Sequence, residues 1–230
     1  MGNEAALLAL LQISDSAFPA GGFAHSSGLE QLVRDGRIGD APGVSNYVAS
    51  LIRLSVATAD AAAASISARA IVNADLARVE EADRALYAMK APSELRNAST
   101  STGSRLLREV SLHIDEPLLS ELLDDVRAGR TPGTYAAAFG AIGGVLGAAP
   151  EQVAAALMQS AATAILQASM RLLPISHRDV QATLHRLRPE IAALASEASV
   201  ATVDELRSFH PVQEIASMRH RTASVRFFAS

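Results

Sequence analysis

The chain has 230 residues, 49% of them hydrophobic but only 4% aromatic, with no Trp and no Cys. A formal charge of −4, with both signs scattered along the sequence, leaves no basic stripe that could track a phosphate backbone and argues against nucleic acid as a partner. The lack of Cys excludes disulfides, thiolate nucleophiles and Cys-based zinc or iron–sulfur sites, so the six His must carry any soft-metal argument alone.

The N-terminus, Met1-Gly2-Asn3-Glu4, is acidic where a signal peptide needs positive charge, and Ala6 stands where a myristoylation motif wants Ser or Thr; a cytoplasmic location is expected. Helical spacing dominates nearly everywhere, and the alternating runs that mark strands are missing, so the sequence predicts an all-α, single-domain helical bundle of about ten helices. Leu7, Leu8 and Leu11 open a first short helix that Ser14-Asp15-Ser16 and Phe18-Pro19-Ala20-Gly21-Gly22 must end. Ser27-Gly28-Leu29-Glu30 reads as a capping box, with Ser27 accepting from the first-turn amides and Glu30 reaching back. Gly36 stops that helix, and another starts near Asp40-Ala41-Pro42 with Val44, Tyr47, Val48, Leu51, Ile52 and Ser55 as its buried stripe.

No Gly or Pro interrupts residues 44–91, a span too long for one ordinary helix, so breaks are expected near Asp60 and at Asn73-Ala74-Asp75. Pro92-Ser93, Asp115-Glu116-Pro117 and Thr131-Pro132 each begin a helix, and Gly129 ends the second of these. Gly140, Gly143, Gly144 and Gly147 lie on the faces of the third, and their four-residue spacing should let a neighbouring helix approach closely. The apolar stretch from Ala136 to Ala149 falls short of the ~20 residues that cross a bilayer and reads as a buried helix. Pro150 opens a long core helix to Leu173, Ser176 caps a shorter one, and Pro189 starts another. The last stretch differs: residues 209–230 gather His210, Arg219, His220, Arg221 and Arg226 around Phe227-Phe228 with a weak core pattern, which marks a partner-docking tail after a helical domain of residues 1–208.

Enzyme chemistry finds no constellation. The segment from Gly21 to Gly28 has the glycines of an anion cradle but neither the Lys and spacing of a P-loop nor a preceding strand, and reads as a structural elbow. His25 and Ser26 are adjacent, a poor geometry for a base and its nucleophile, and no G-x-S-x-G elbow exists. His177 and His185 lie about two turns apart, too far to share a metal, and His210 with Glu214 would be a two-ligand site at most. Asp115-Glu116 and Asp124-Asp125 read as capping and solvated charges. No catalytic residue, cofactor or metal ligand is therefore assigned.

Leu11 to Glu30, with Pro19-Ala20-Gly21-Gly22-Phe23-Ala24-His25-Ser26-Ser27-Gly28-Leu29-Glu30 at its heart, resembles the Pro-x-Gly-x-Phe-x-x-Ser-x-Gly-Leu-Glu signature of the UreF family of urease accessory proteins. Further segments follow in that family's order: Glu94 to Ser99 leading to Gly103 to Arg108, Ala138-Phe139-Gly140, Gln167 to Ile175, and the tail Ile215-Ala216-Ser217-Met218-Arg219-His220 with Arg226-Phe227-Phe228. The resemblance implies a non-enzymatic, homodimeric scaffold that binds UreD (also called UreH), recruits the GTPase UreG and docks on apo-urease for nickel insertion; direct regulation of the GTPase is the alternative. It also implies that the UreD contact is made by the N-terminal segment and by a tail that becomes ordered on binding. The N-terminal segment supplies Phe18, Pro19, Gly21, Gly22, Phe23, His25, Ser26, Gly28 and Glu30. The tail supplies Met218, Arg219, His220, Arg226, Phe227 and Phe228. Arg221 stands where the family leads one to expect an acidic residue, Ser224 where an aromatic is common, and Tyr135-Ala136-Ala137 replaces a His- or Pro-containing approach to Phe139.

Overall fold

The computed structural model describes residues 3–15, 17–20, 26–220 and 227–228. Among these the chain is helical with no strand, in eleven α segments: α1 Asn3–Ser14, α2 Leu29–Arg34, α3 Ala41–Leu51, α4 Ala62–Val72, α5 Leu76–Met89, α6 Ser93–Ser111, α7 Pro117–Arg127, α8 Tyr135–Val145, α9 Pro150–Leu172, α10 His177–Val200 and α11 Pro211–His220. A π-helical segment, Ile52–Ala61, fuses α3 and α4 into one rod, so the described residues form ten helices.

The break expected at Asp60 does not occur. Asp60 lies inside the π segment with its carboxylate 2.7 Å from Lys90 Nζ, and the wider turns let the rod continue. Two carbonyls of the π segment also bind a passing strap: Thr58 O accepts from Arg207 N at 3.0 Å and Leu54 O from Phe209 N at 2.9 Å. The break expected at 73–75 is present, with Ala74 at φ +55 and the Asp75 carboxylate capping Arg78 N. The stripe from Val44 to Ser55 is buried as the spacing required.

The core is drawn tight where α8 crosses α4. A Cβ on Gly140 would stand 2.1 Å from Ala64 O, and one on Gly144 would stand 2.5 Å from Ala68 O. Glycines and alanines four apart on facing helices thus let the two backbones touch, and the poverty in aromatics is the composition such contacts require. Helix α8 starts at Tyr135, later than Thr131-Pro132 suggested. Buried Asp83 on α5 explains the delay: it accepts from Thr131 Oγ1 at 2.6 Å, Gly133 N at 2.6 Å and Thr134 N at 2.7 Å, fixing 131–134 as an anchored loop.

Helix α10 is likewise not divided at Pro189. Val180, Leu184, Leu187, Ile191, Ala195 and Ala198 form one buried stripe through the proline, and packing along it outweighs the missing amide bond. Asp125, read as a solvated charge, is instead buried, and its carboxylate pairs with Arg130. His177 and His185 are exposed. Two helices, Ala41–Val72 and Pro150–Leu172, are long and apolar enough to cross a membrane by length and composition alone; both are central rods, with 67% and 50% of their most apolar windows buried in the fold.

A candidate partner-docking site where the two ends of the chain meet

Helix α2 begins in a turn that only small residues can make. Ser27 has φ +50 and Gly28 φ +83, and Gly28, not Ser27, is the N-cap. The expected capping box is therefore absent: Gly28 has no side chain to cap α2, and the first-turn amide Glu30 N donates to buried Ser26 Oγ at 3.4 Å. Gly28 is needed for contact as well as for conformation, because a Cβ there would lie 3.1 Å from Ala216 Cβ and 3.2 Å from Gln213 O. Helix α11 crosses directly over this turn.

Three side chains hold the start of α11 down. His210 Nδ1 accepts from Gln213 N at 3.2 Å, and its Nε2 lies 2.9 Å from Ser50 Oγ, which in turn donates to Tyr47 O. Tyr47 meets the His210 ring edge-on at 5.6 Å and donates its hydroxyl to Ser27 O, joining α3, α11 and the α2 turn. Burial pushes His210 below the usual imidazole value and pushes the Tyr47 hydroxyl up, so both work as neutral fasteners. His210 uses both nitrogens in this way, which removes it as a metal ligand with Glu214.

Freed from capping, Glu30 turns its carboxylate toward the C-terminus. Its side chain is 2% exposed, yet both oxygens are filled. Oε1 accepts from Arg34 Nη2 and from Phe227 N, each at 3.0 Å; Oε2 accepts from His220 Nε2 at 3.0 Å and from Phe228 N at 3.1 Å. Burial alone would raise this carboxyl's pKa, but the Phe227 amide, His220 and the Phe228 amide together lower it, and the group is an anion. His220 is fully buried, and its Nδ1 faces Glu94 Oε2 at 3.5 Å. Carboxylate oxygens therefore flank both ring nitrogens. At the rim, Arg219 pairs with Asp35 at 3.5 Å.

The two terminal phenylalanines diverge from this anchor. Phe228 is buried at 6% exposure under the Arg171 guanidinium, 5.8 Å from its ring centroid, whereas Phe227 is 74% exposed. Ile215 and Met218 on α11 are also half-exposed apolar residues. The structure thus brings together Ser26, Gly28, Glu30, Met218, Arg219, His220, Phe227 and Phe228. Phe18 lies apart from the carboxylate, on the wall of an apolar pocket of about 220 Å³ that Ser27 and Gln213 also line, and Pro19 beside it is exposed. Gly21, Gly22, Phe23, His25 and Arg226, with Arg221 and Ser224, lie outside the described residues.

Sequence reasoning missed several participants. Arg34 was within reach, being one helical turn after Glu30. Glu94, Tyr47 and Arg171 come from distant helices, and no local pattern links them to the tail. Among the described residues no cluster of three or more His, Asp or Glu is placed to hold a metal ion. The arrangement joins segments and displays apolar side chains.

Comparison with known proteins shows the family. The UreF family model matches residues 38–188. The chain is 33% identical over 223 residues to the urease accessory protein UreF of Trichodesmium erythraeum, covering 97% of this chain and 96% of that protein. It is 29% identical over 229 residues to its namesake in Yersinia enterocolitica, covering 99% of this chain and all of that protein. The chain belongs to the UreF family of urease accessory proteins.

Proposed function

We propose that this chain is a urease-maturation scaffold which, as a cytoplasmic homodimer, binds a UreD-type (UreH-type) protein, recruits the GTPase UreG and delivers nickel to apo-urease with them. The observation that carries the reading is the junction at Glu30: the two segments that the family resemblance singles out for partner contact meet there, with Phe227, Met218 and Ile215 turned outward. Aromatic and Met side chains on a rigid support are the groups that supply most of the energy of protein interfaces.

Helix α1 adds support. Ala6, Leu10 and Ile13 face the core, while Leu7, Leu8 and Leu11 lie on the other side, 50%, 67% and 58% exposed. A surface helix normally carries polar residues there, and an apolar stripe of this kind marks a contact surface.

The test is co-expression with a UreD-like protein and a P-loop GTPase from the same cells. The chain is expected to co-elute with both, and Leu8→Glu and Met218→Glu are expected to abolish co-elution without changing the circular dichroism. Elution of the wild-type chain alone would refute the reading. GTP turnover separates scaffold from regulator: an unchanged rate in the assembled complex fits recruitment, and stimulation fits direct regulation.

A further inference from the structure

We infer that the apolar pocket inside the helical body is a binding site for a small uncharged amphipathic molecule, a primary amide in chemical class, whose head group is held by Lys90 and Asp60 and whose apolar part lies along α6. The size of the cavity and its surplus of hydrogen-bonding groups lead to this. Its volume of about 220 Å³ exceeds the ~150 Å³ that takes up benzene in an engineered core. Small side chains leave the space: Ala59, Ala98, Ala161 and Ala164 stand on the wall where leucines would close it. Leu95, Ala98 and Thr102 follow one face of α6 for about 10 Å, and Leu86, Met89 and Leu157 extend the apolar surface.

Three polar side chains on this wall have bonding capacity that the protein does not use. Thr102 is 6% exposed, yet among the described residues its hydroxyl has no hydrogen-bond partner. Thr100 and Thr163, by contrast, turn their hydroxyls back onto the carbonyl one turn earlier. A buried hydroxyl without a protein partner is one that a ligand can engage. Lys90 carries three N–H donors and directs one to Asp60 Oδ1 at 2.7 Å, and no described residue donates to the other oxygen of that carboxylate. The two side chains are only 17% and 18% exposed. A carboxamide completes both at once, its carbonyl accepting from Lys90 and its N–H donating to Asp60. Because the ammonium and carboxylate already cancel, a charged ligand would carry an unbalanced charge into an apolar cavity, which is costly. Asp15 and Glu214, the other charged residues of the lining, are exposed and half-exposed, where water and salt screen them. Asp60 and Ala59 also belong to the π-helical segment, and π turns concentrate at functional sites.

The test uses benzamide, benzoate and benzylamine, which share a ring and differ in charge, titrated into the full-length chain with its methionine methyl groups labelled for NMR. Of Met89, Met158, Met170 and Met218, only Met89 lines the pocket. Benzamide should move the Met89 signal saturably, with a Kd of about 1 mM or below, and leave Met158 unmoved; benzoate and benzylamine should bind at least about tenfold more weakly. Lys90→Met should weaken benzamide by about tenfold, and Ala98→Leu, which fills the channel between Leu95 and Thr102, should abolish the Met89 shift. If Ala98→Leu fails to fold, the charge series in the wild-type chain decides alone. No movement of Met89 at about 10 mM benzamide, equal affinity for the three ligands, uniform movement of all four signals, or wild-type affinity in a folded Ala98→Leu chain would overturn the site. Wild-type affinity in Lys90→Met would overturn the assignment of its head group.

Discussion

Replacing Gly140 with Ala sets two effects of opposite sign against each other. Ala is the better helix former by about 1 kcal/mol in a helix interior, so propensity alone predicts stabilisation. The structure predicts the reverse, because the added Cβ would sit 2.1 Å from Ala64 O and 2.7 Å from Ala64 Cα, both backbone atoms with no rotamer to turn aside. An ordinary contact begins near 3.4 Å, so α8 must back away from α4 by roughly 1 Å, loosening the Gly144–Ala68 contact one turn on. Overpacking of this kind costs about 1–3 kcal/mol beyond the propensity gain, which for a chain of this size lowers Tm by roughly 2–10 °C. Urea unfolding followed by far-UV circular dichroism measures it, with Gly39→Ala as control because nothing lies within 4 Å of a Cβ there. The control should fall within about 0.5 kcal/mol of wild type. A Gly140→Ala protein as stable as wild type, or more stable, would refute the claim that these helices meet backbone to backbone.

Other perturbations probe the supports of the docking site. Asp83→Ala should cost about 3–5 kcal/mol in the same unfolding assay, since it orphans three buried donors of the 131–134 loop, and Asp83→Asn should recover part of the loss. Gly28→Ala should destabilise by about 1–2 kcal/mol through its positive φ, and should speed amide exchange in α11, which it pushes away through Ala216 and Gln213. The Glu30 carboxyl, held below its ordinary value, contributes stability that is fully present above the unfolded carboxyl value of about 4.3 and is lost as pH falls through the depressed folded value. Exchange at Phe227 and Phe228 should thus stay slow from neutral pH down through the ordinary carboxylate range and accelerate only below it; acceleration beginning above pH ~4.3 would contradict the assignment.

Much of the fold was legible because it is written locally. The i, i+3/i+4 stripe from Val44 to Ser55, the helix start at Asp40, the Ser176 cap and the Gly140/Gly144 spacing each depend on near neighbours, and each is present. The misreadings share a cause: a distant partner overrode the local rule. Asp60 does not break its helix because Lys90 answers it, Thr131-Pro132 does not start one because Asp83 holds the loop, and Pro189 does not divide one because the buried stripe runs through it. The site shows the same division. Gly28 and Glu30 stood out as signature residues, and the choice of Ser27 as cap assigned Glu30 a local duty. Three of its four partners lie 190 to 198 residues away in sequence, and no short-range pattern encodes such a bond. The belief that residues 209–230 carry little core pattern was true of their hydrophobicity, but buried His210 and His220 fix α11 through polar contacts that apolar periodicity does not register.

The central claim is that the chain works by surface contact at the junction of its two ends. It is tested most directly by calorimetric titration of the full-length chain with a UreD-like protein, wild type against Phe227→Ala. Phe227 is largely solvent-exposed in the free chain, so its truncation should leave unfolding unchanged while costing 2 kcal/mol or more of binding, about thirtyfold in Kd. Equal affinities for the two proteins, or no binding by either, would contradict the account.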